Sequence, residues 1–160
     1  MDGADQLMRA DIAELWNLRN GWEAVQVVKH SYKTLHPRKY IGTEMEADNQ
    51  DYERKNWSSV CVFSAAHYLN RVLTPEYIAK QSSAFLHRFK WLPDDRIGDL
   101  PPEWNVLISE QESGLETKVA HWTLGGPFFR HYANDDHANE WRAAYLAATK
   151  GMQYTIPSER

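Results

Sequence analysis

Apolar residues recur at helical spacing between Ala10 and Asn20, where Ile12, Leu15 and Trp16 share a stripe. Asp11 stands at the start of that stripe, and Asn20 with Gly21 ends it, so the segment predicts a helix. The run from Trp22 to Val28 (WEAVQVV) is rich in β-branched residues and predicts a strand. From Lys29 to Asn56 the pattern turns polar and irregular, with His36-Pro37 and Ile41-Gly42 as breakers. A stretch of that length without regular structure reads as a functional loop. Trp57 to Phe63 (WSSVCVF) predicts a second, buried strand that encloses Cys61, followed by a short helix from about Ala65 to Asn70. Thr74, Pro75 and Glu76 supply an N-cap, a proline at the first helical position and an acidic first turn, for a helix running to Phe85 or Arg88. A Pro- and Asp-rich loop covers Pro93 to Pro102. Val106 to Ser109 and Lys118 to Thr123 predict two further strands around a turn at Ser113-Gly114. A last helix spans Asp136 to Lys150, with Trp141, Tyr145, Leu146 and Ala148 along one face and Gly151 as its stop.

Strands alternating with helices predict an α/β fold, a mixed sheet flanked by helices. The 160 residues fit one domain, 1–160, with no repeats, low-complexity tracts or linkers. A 42% hydrophobic and 25% charged composition is that of a folded chain rather than a disordered one. Net charge is −4, with no dense basic stripe, which argues against a nucleic-acid partner because phosphate neutralisation needs clustered Lys and Arg. One cysteine excludes an internal disulfide framework, and an apolar setting makes Cys61 a small buried hydrophobe rather than a reactive thiol. No run approaches a membrane span, and the acidic N-terminal sequence is unlike a signal peptide, so a cytoplasmic location is expected. The seven Trp and eight Tyr read first as core fillers and second as platforms for the apolar faces of sugar rings.

Two stretches carry candidate chemistry. In DGAD, Asp2 and Asp5 place two carboxylates close together beside a glycine, an arrangement that holds Mg²⁺ or Mn²⁺ when phosphate and water complete the coordination. In HWTLGGPFF, His121 ends a strand and leads into Gly125, Gly126 and Pro127. An imidazole can ligate a divalent metal, and glycine amides can meet phosphate oxygens. The remaining histidines, His30, His36, His67, His87, His131 and His137, have no comparable setting.

Taken in order, DGAD, the helix DIAEL from Asp11, NWSSV from Asn56, LPPEWN from Leu100, and VAH ending at His121 with Gly125, Gly126 and Pro127 resemble the glycogenin-like glycosyltransferases of family eight. The likeness runs from Asp2 to about Tyr132. It implies the C-terminal part of a GT-A fold, a nucleotide-diphospho-sugar donor, a glycan or other acceptor, and a Mn²⁺ or Mg²⁺ ion. By position it assigns Asp2, Asp5 and His121 to the metal, and Gly125 and Gly126 to the diphosphate. Asn56 and Ser58 match the segment lining the sugar pocket, with Asn56 in the catalytic group. Asp95, also in that group, and Asp94 match the acidic position that holds donor hydroxyls. Trp104 and Asn105 match a segment at the edge of the site. A divalent cation bridging two phosphates neutralises the departing nucleoside diphosphate, which is the physical content of that assignment.

The pattern departs from the family in four places. The acidic pair is spaced Asp-x-x-Asp rather than Asp-x-Asp, and three residues rather than two separate His121 from Gly125. The family's lysine after the glycine is missing, with Arg130 the nearest substitute. In the family, a stretch of roughly a hundred residues before the acidic pair binds base and ribose, as first βαβ units do. Here Asp2 follows Met1, so the expectation is the metal-site and acceptor portion, with the nucleotide-binding part absent. That leaves an apolar sheet edge for a second copy of the chain to cover. Two other readings stay open: a non-catalytic carbohydrate-binding or interaction domain derived from the fold, and a metal-dependent hydrolase of phosphorylated sugars.

Overall fold

The computed structural model describes residues 5–111, 114 and 116–149. It is a mixed α/β structure in two compact units: Met1–Arg9, Lys33–Gln50 and Val106–Arg160 in the first, Ala10–Tyr32 and Asp51–Asn105 in the second. Among the described residues, no helix is long and apolar enough to cross a membrane.

The first unit is built on three strands, β1 (Gln6–Met8), β7 (Val106–Leu107) and β8 (Val119–His121), in the order β1-β8-β7. β8 is antiparallel to β1, with Gln6 opposite His121, and parallel to β7, with Leu107 opposite His121. All of β8 is buried, because it is the central strand. Its core joins Val106, Ile108, Ala120, Trp122 and Trp141, with Leu7, Phe128 and Tyr145 packed against them. The expected strands at Val106–Ser109 and Lys118–Thr123 are thus present but shorter. The irregular stretch after Lys33 contains one short antiparallel pair, β3 (Arg38–Lys39) with β4 (Ala47–Asp48).

Helix α4 (Ala138–Ala148) falls inside the expected Asp136–Lys150; Lys150 and Gly151 lie outside the described residues. Trp141 is buried, and Tyr145 stacks on it at 5.4 Å and 15°. Leu146 and Ala148 face solvent instead of the core, because the buried stripe is only wide enough for Trp141 and Tyr145. Arg9 Nε reaches Glu140 Oε2 at 2.6 Å, and His137 Nδ1 lies 3.0 Å from Glu140 Oε1. Arg9 first, and His137 second, hold the Glu140 carboxyl below its ordinary value. A depressed carboxylate stabilises the fold above the ordinary value of 4.5, and that contribution is lost as pH falls through the lowered value. Glu140→Gln is therefore expected to cost a few tenths of a kcal/mol at pH 7, the size normal for a solvent-exposed pair, and nothing in strong acid. Denaturant melts at the two pH values check it.

The second unit centres on β2 (Val25–Val27), antiparallel to β5 (Cys61–Phe63) and parallel to β6 (Ile97–Asp99). Ala24, Val25, Val27, Phe89, Leu92 and Ile97 form its core, with Trp57, Leu69 and Trp91 against it. The local start signals act as read. In α1 (Ile12–Asn17), Asp11 accepts from Ala13 N–H; in α2 (Pro75–Ile78), Thr74 accepts from Tyr77 N–H.

Four sequence expectations change here. The single helix expected after Thr74 is broken, because Ser82 caps a new one, α3 (Ser83–His87), by accepting from Phe85 N–H. Only Cys61–Phe63 of the expected Trp57–Phe63 strand is extended, since a left-handed Asn56 starts a 3₁₀ turn over Trp57–Ser59. Cys61 is exposed rather than buried: β5 is an edge strand and presents Val62, not Cys61, to the interior. The short helix expected near Ala65 is a 3₁₀ turn over Tyr68–Val72.

Candidate functional site

The antiparallel register of β1 and β8 brings the start of the described chain beside Val119–His121. Asp5 immediately precedes β1 and accepts from Trp122 N–H through its backbone at 2.8 Å. As a result His121 Nε2 lies 3.6 Å from Asp5 Oδ2, with the imidazole buried and the carboxylate 40% exposed. His121 also closes the carboxyl end of the parallel pair β7–β8, the side of a parallel sheet on which ligands collect. A carboxylate oxygen and an imidazole nitrogen suit Mn²⁺ or Mg²⁺ plus phosphate oxygens, so the donors present fit such an ion. Asp2 lies outside the described residues, and among those described no group of three or more His, Cys, Asp or Glu converges as a metal site.

After His121 the chain runs through Gly125 and Gly126, both buried. A Cβ added at Gly125 would sit 2.2 Å from Tyr132 Cε2, and one at Gly126 would sit 2.1 Å from Phe128 Cε1. The missing side chains therefore make room for two rings of the protein itself. Tyr132 cannot swing away easily, since its hydroxyl oxygen accepts from Ile41 N–H at 3.0 Å. Gly125→Ala is expected to cost about 1–3 kcal/mol, the usual penalty of overpacking, and Gly126→Ala less because Phe128 is only partly buried. Thermal melts compared with the parent chain test this. Arg130 is exposed at the start of the 3₁₀ turn that carries Tyr132.

Sequence reasoning missed the group that holds the 33–50 segment in this unit. Glu110 is 2% exposed, yet it accepts from Leu35 N–H at 3.0 Å and from Asn49 Nδ2 at 2.5 Å. Tyr40 N–H donates to Leu124 O at 2.6 Å, which seats the β3 end on the residue before Gly125. Asp135, hydrogen-bonded to Ser109, is half-buried, and burial pushes its carboxyl above the ordinary range. A lone Glu or Asp in a polar stretch carries no sequence signal for such roles.

The other candidate residues lie in the second unit. Asn56 adopts φ 62°, donates from Nδ2 to Tyr32 Oη at 2.9 Å, and accepts from Asn105 Nδ2 at 3.0 Å through its carbonyl. Left-handed backbone on two non-glycine residues, Arg54 and Asn56, around buried Lys55 marks a segment held in place by its surroundings. Ser58 Oγ and His87 Nδ1 are 3.1 Å apart. Asp94 is gripped by Arg54, whose guanidinium also donates to the Arg88 and Phe89 carbonyls. Asp95 is exposed, with Arg96 Nε 3.6 Å away. Trp104 and Asn105 are fully buried, so they act through what they hold rather than by touching a ligand.

The two units thus define a mixed α/β protein with one parallel strand pair in each and polar groups at its carboxyl end. No protein-family model matches the chain, and no solved structure matches it. It is similar to Protein CDI of Arabidopsis thaliana, at 37% identity over 142 residues, which is 86% of this chain and 53% of that protein. The chain spans about half the length of this curated relative.

Proposed function

We propose that the chain supplies the metal-site and acceptor portion of a glycosyltransferase that moves a sugar from a nucleotide-diphosphate donor, on a GT-A-type fold. The observation that carries this reading is the approach of Asp5 and His121 to 3.6 Å, two residues 116 positions apart that the family resemblance assigns to one metal. Asp5 and His121 would hold the Mn²⁺ or Mg²⁺ ion, which supplies charge neutralisation of the leaving diphosphate when bound. The residues themselves do the positioning. Burial of His121 fixes the imidazole, and the β1–β8 register fixes Asp5 against it. In the second unit by itself, Arg54 pairs with Asp94, and Asn56 is hydrogen-bonded to Tyr32 and Asn105.

Isothermal titration of the full-length natural protein with Mn²⁺ and UDP, or another nucleoside diphosphate, tests the proposal. Metal-dependent nucleotide binding that His121→Ala and Asp5→Asn weaken by roughly tenfold or more is expected. Absence of such binding, or its indifference to both substitutions, overturns it. The alternative is a non-catalytic carbohydrate-binding domain, whose ligand would need neither Asp5 nor His121. Glycan binding that survives Asp5→Asn and His121→Ala without metal would select it. Transfer is distinguished from hydrolysis of the donor by analysis of the products.

A further inference from the structure

In the second unit, parallel strands β2 and β6 end side by side, with Val27 opposite Asp99 and Leu100 N–H bonded to Val27 O at 2.8 Å. Just past those ends Lys29 Nζ lies 3.1 Å from Asp99 Oδ2. The same ammonium stands 6.0 Å from the centre of the Trp57 ring. That ring is also held by a hydrogen bond along its edge: its Nε1–H donates to His30 O at 3.1 Å. Trp57 follows directly on the strained Asn56, whose side chain and carbonyl are both engaged. A locked aromatic, a cation and a carboxylate therefore meet at the carboxyl end of a parallel pair, where ligands of open sheets bind.

The pair does little for stability. Asp99 is 74% exposed, and ion pairs of that kind contribute weakly to folding. Its chemistry is more informative. Lys29 offers donors and Asp99 offers acceptors, a few ångströms apart and with no net charge between them. An anion would face Asp99 and a cation would face Lys29, so neither is favoured. A neutral polyol suits both: one hydroxyl donates to the carboxylate, its neighbour accepts from the ammonium, and Trp57 provides an apolar wall beside them.

We propose that Lys29 and Asp99 form a clamp for two neighbouring hydroxyls of a pyranose, with Trp57 beside it. This deepens the glycosyltransferase reading, on which it rests, by naming residues that select the sugar. The probes are methyl glycosides of glucose, galactose, mannose and xylose, and the readouts are saturation-transfer NMR and the shift of the Trp57 indole N–H. The chain is expected to bind at least one of these sugars with a shift at Trp57. Asp99→Asn and Lys29→Met should each weaken that binding roughly tenfold while leaving the melting temperature unchanged. Binding of no sugar, or undiminished binding in both variants, overturns the clamp. Titration of the full-length natural protein with Mn²⁺ and UDP separates the two ideas. Nucleotide binding without sugar discrimination by these residues sinks the clamp alone. Sugar binding lost in the variants, without metal-dependent nucleotide binding, sinks the transfer reading and upholds the clamp.

Discussion

Replacing Trp122 with alanine is expected to destabilise the chain by about 3–5 kcal/mol, seen as a lower denaturation midpoint with an unchanged slope. Trp122 is 1% exposed and sits at the centre of the first unit's core with Ile108, Ala120 and Trp141. Its removal leaves a ring-sized cavity between a strand and a helix that cannot close over it. Trp122→Phe should behave very differently. The indole Nε1–H is buried with no acceptor among the described residues, and a buried donor of that kind costs about 1–3 kcal/mol. Phenylalanine removes that donor while keeping most of the ring, so the net loss should stay under about 1.5 kcal/mol. Equal losses in the two variants would show that the N–H has found a partner.

Asn70 carries the second large effect. It is 6% exposed and joins three segments of the second unit. Nδ2 donates to the carbonyls of Ala24 and Ser64, both at 2.8 Å, and Oδ1 accepts from Trp91 Nε1 at 3.0 Å. Asn70→Leu leaves the Trp91 donor without its acceptor and removes two bonds to carbonyls. Because each carbonyl keeps a backbone donor from Ser64 or His67, about 2–4 kcal/mol is expected rather than the sum of three orphaned groups. Asn70→Asp tests the directionality. An ionised carboxylate there would face two carbonyl oxygens, so folding must raise its pKa. A raised carboxylate pKa destabilises the fold above that value and relieves it below the ordinary one. The variant should therefore recover part of its lost stability as pH falls toward 4, where the parent does not. Melts across that pH range decide it.

Local chemistry was legible in the chain. Asp11 and Thr74 were recognisable as caps because the residues they bond lie two or three positions away. The run from Trp22 to Val28 was recognisable as a strand because β-branched residues crowd it. Ser82 was also visible, but whether a serine continues a helix or restarts one depends on what packs beside it. Cys61 shows the same limit: an apolar run signals extension, yet only the pairing of β5 at a sheet edge decided that Cys61 points outward. Of the candidate site, the residue types were in view, whereas Lys29, Asp99, Glu110 and Arg54 carried no motif and emerged only from their partners.

By itself, then, the sequence determined the alternation of strands and helices and the helix starts at Asp11 and Thr74, and it put a carboxylate-rich segment and a histidine-glycine segment in view as candidate chemistry. Those features rest on contacts within a few residues or on side-chain type alone. Tertiary structure decided the rest. It set Gln6 opposite His121, which carries Asp5 to within 3.6 Å of the imidazole, and it filled the space beside Gly125 and Gly126 with aromatic rings. It also ran β2 and β6 in parallel so that Lys29 meets Asp99. Each of these depends on register between segments far apart in the chain, where a shift of one residue would turn every side chain to the opposite face.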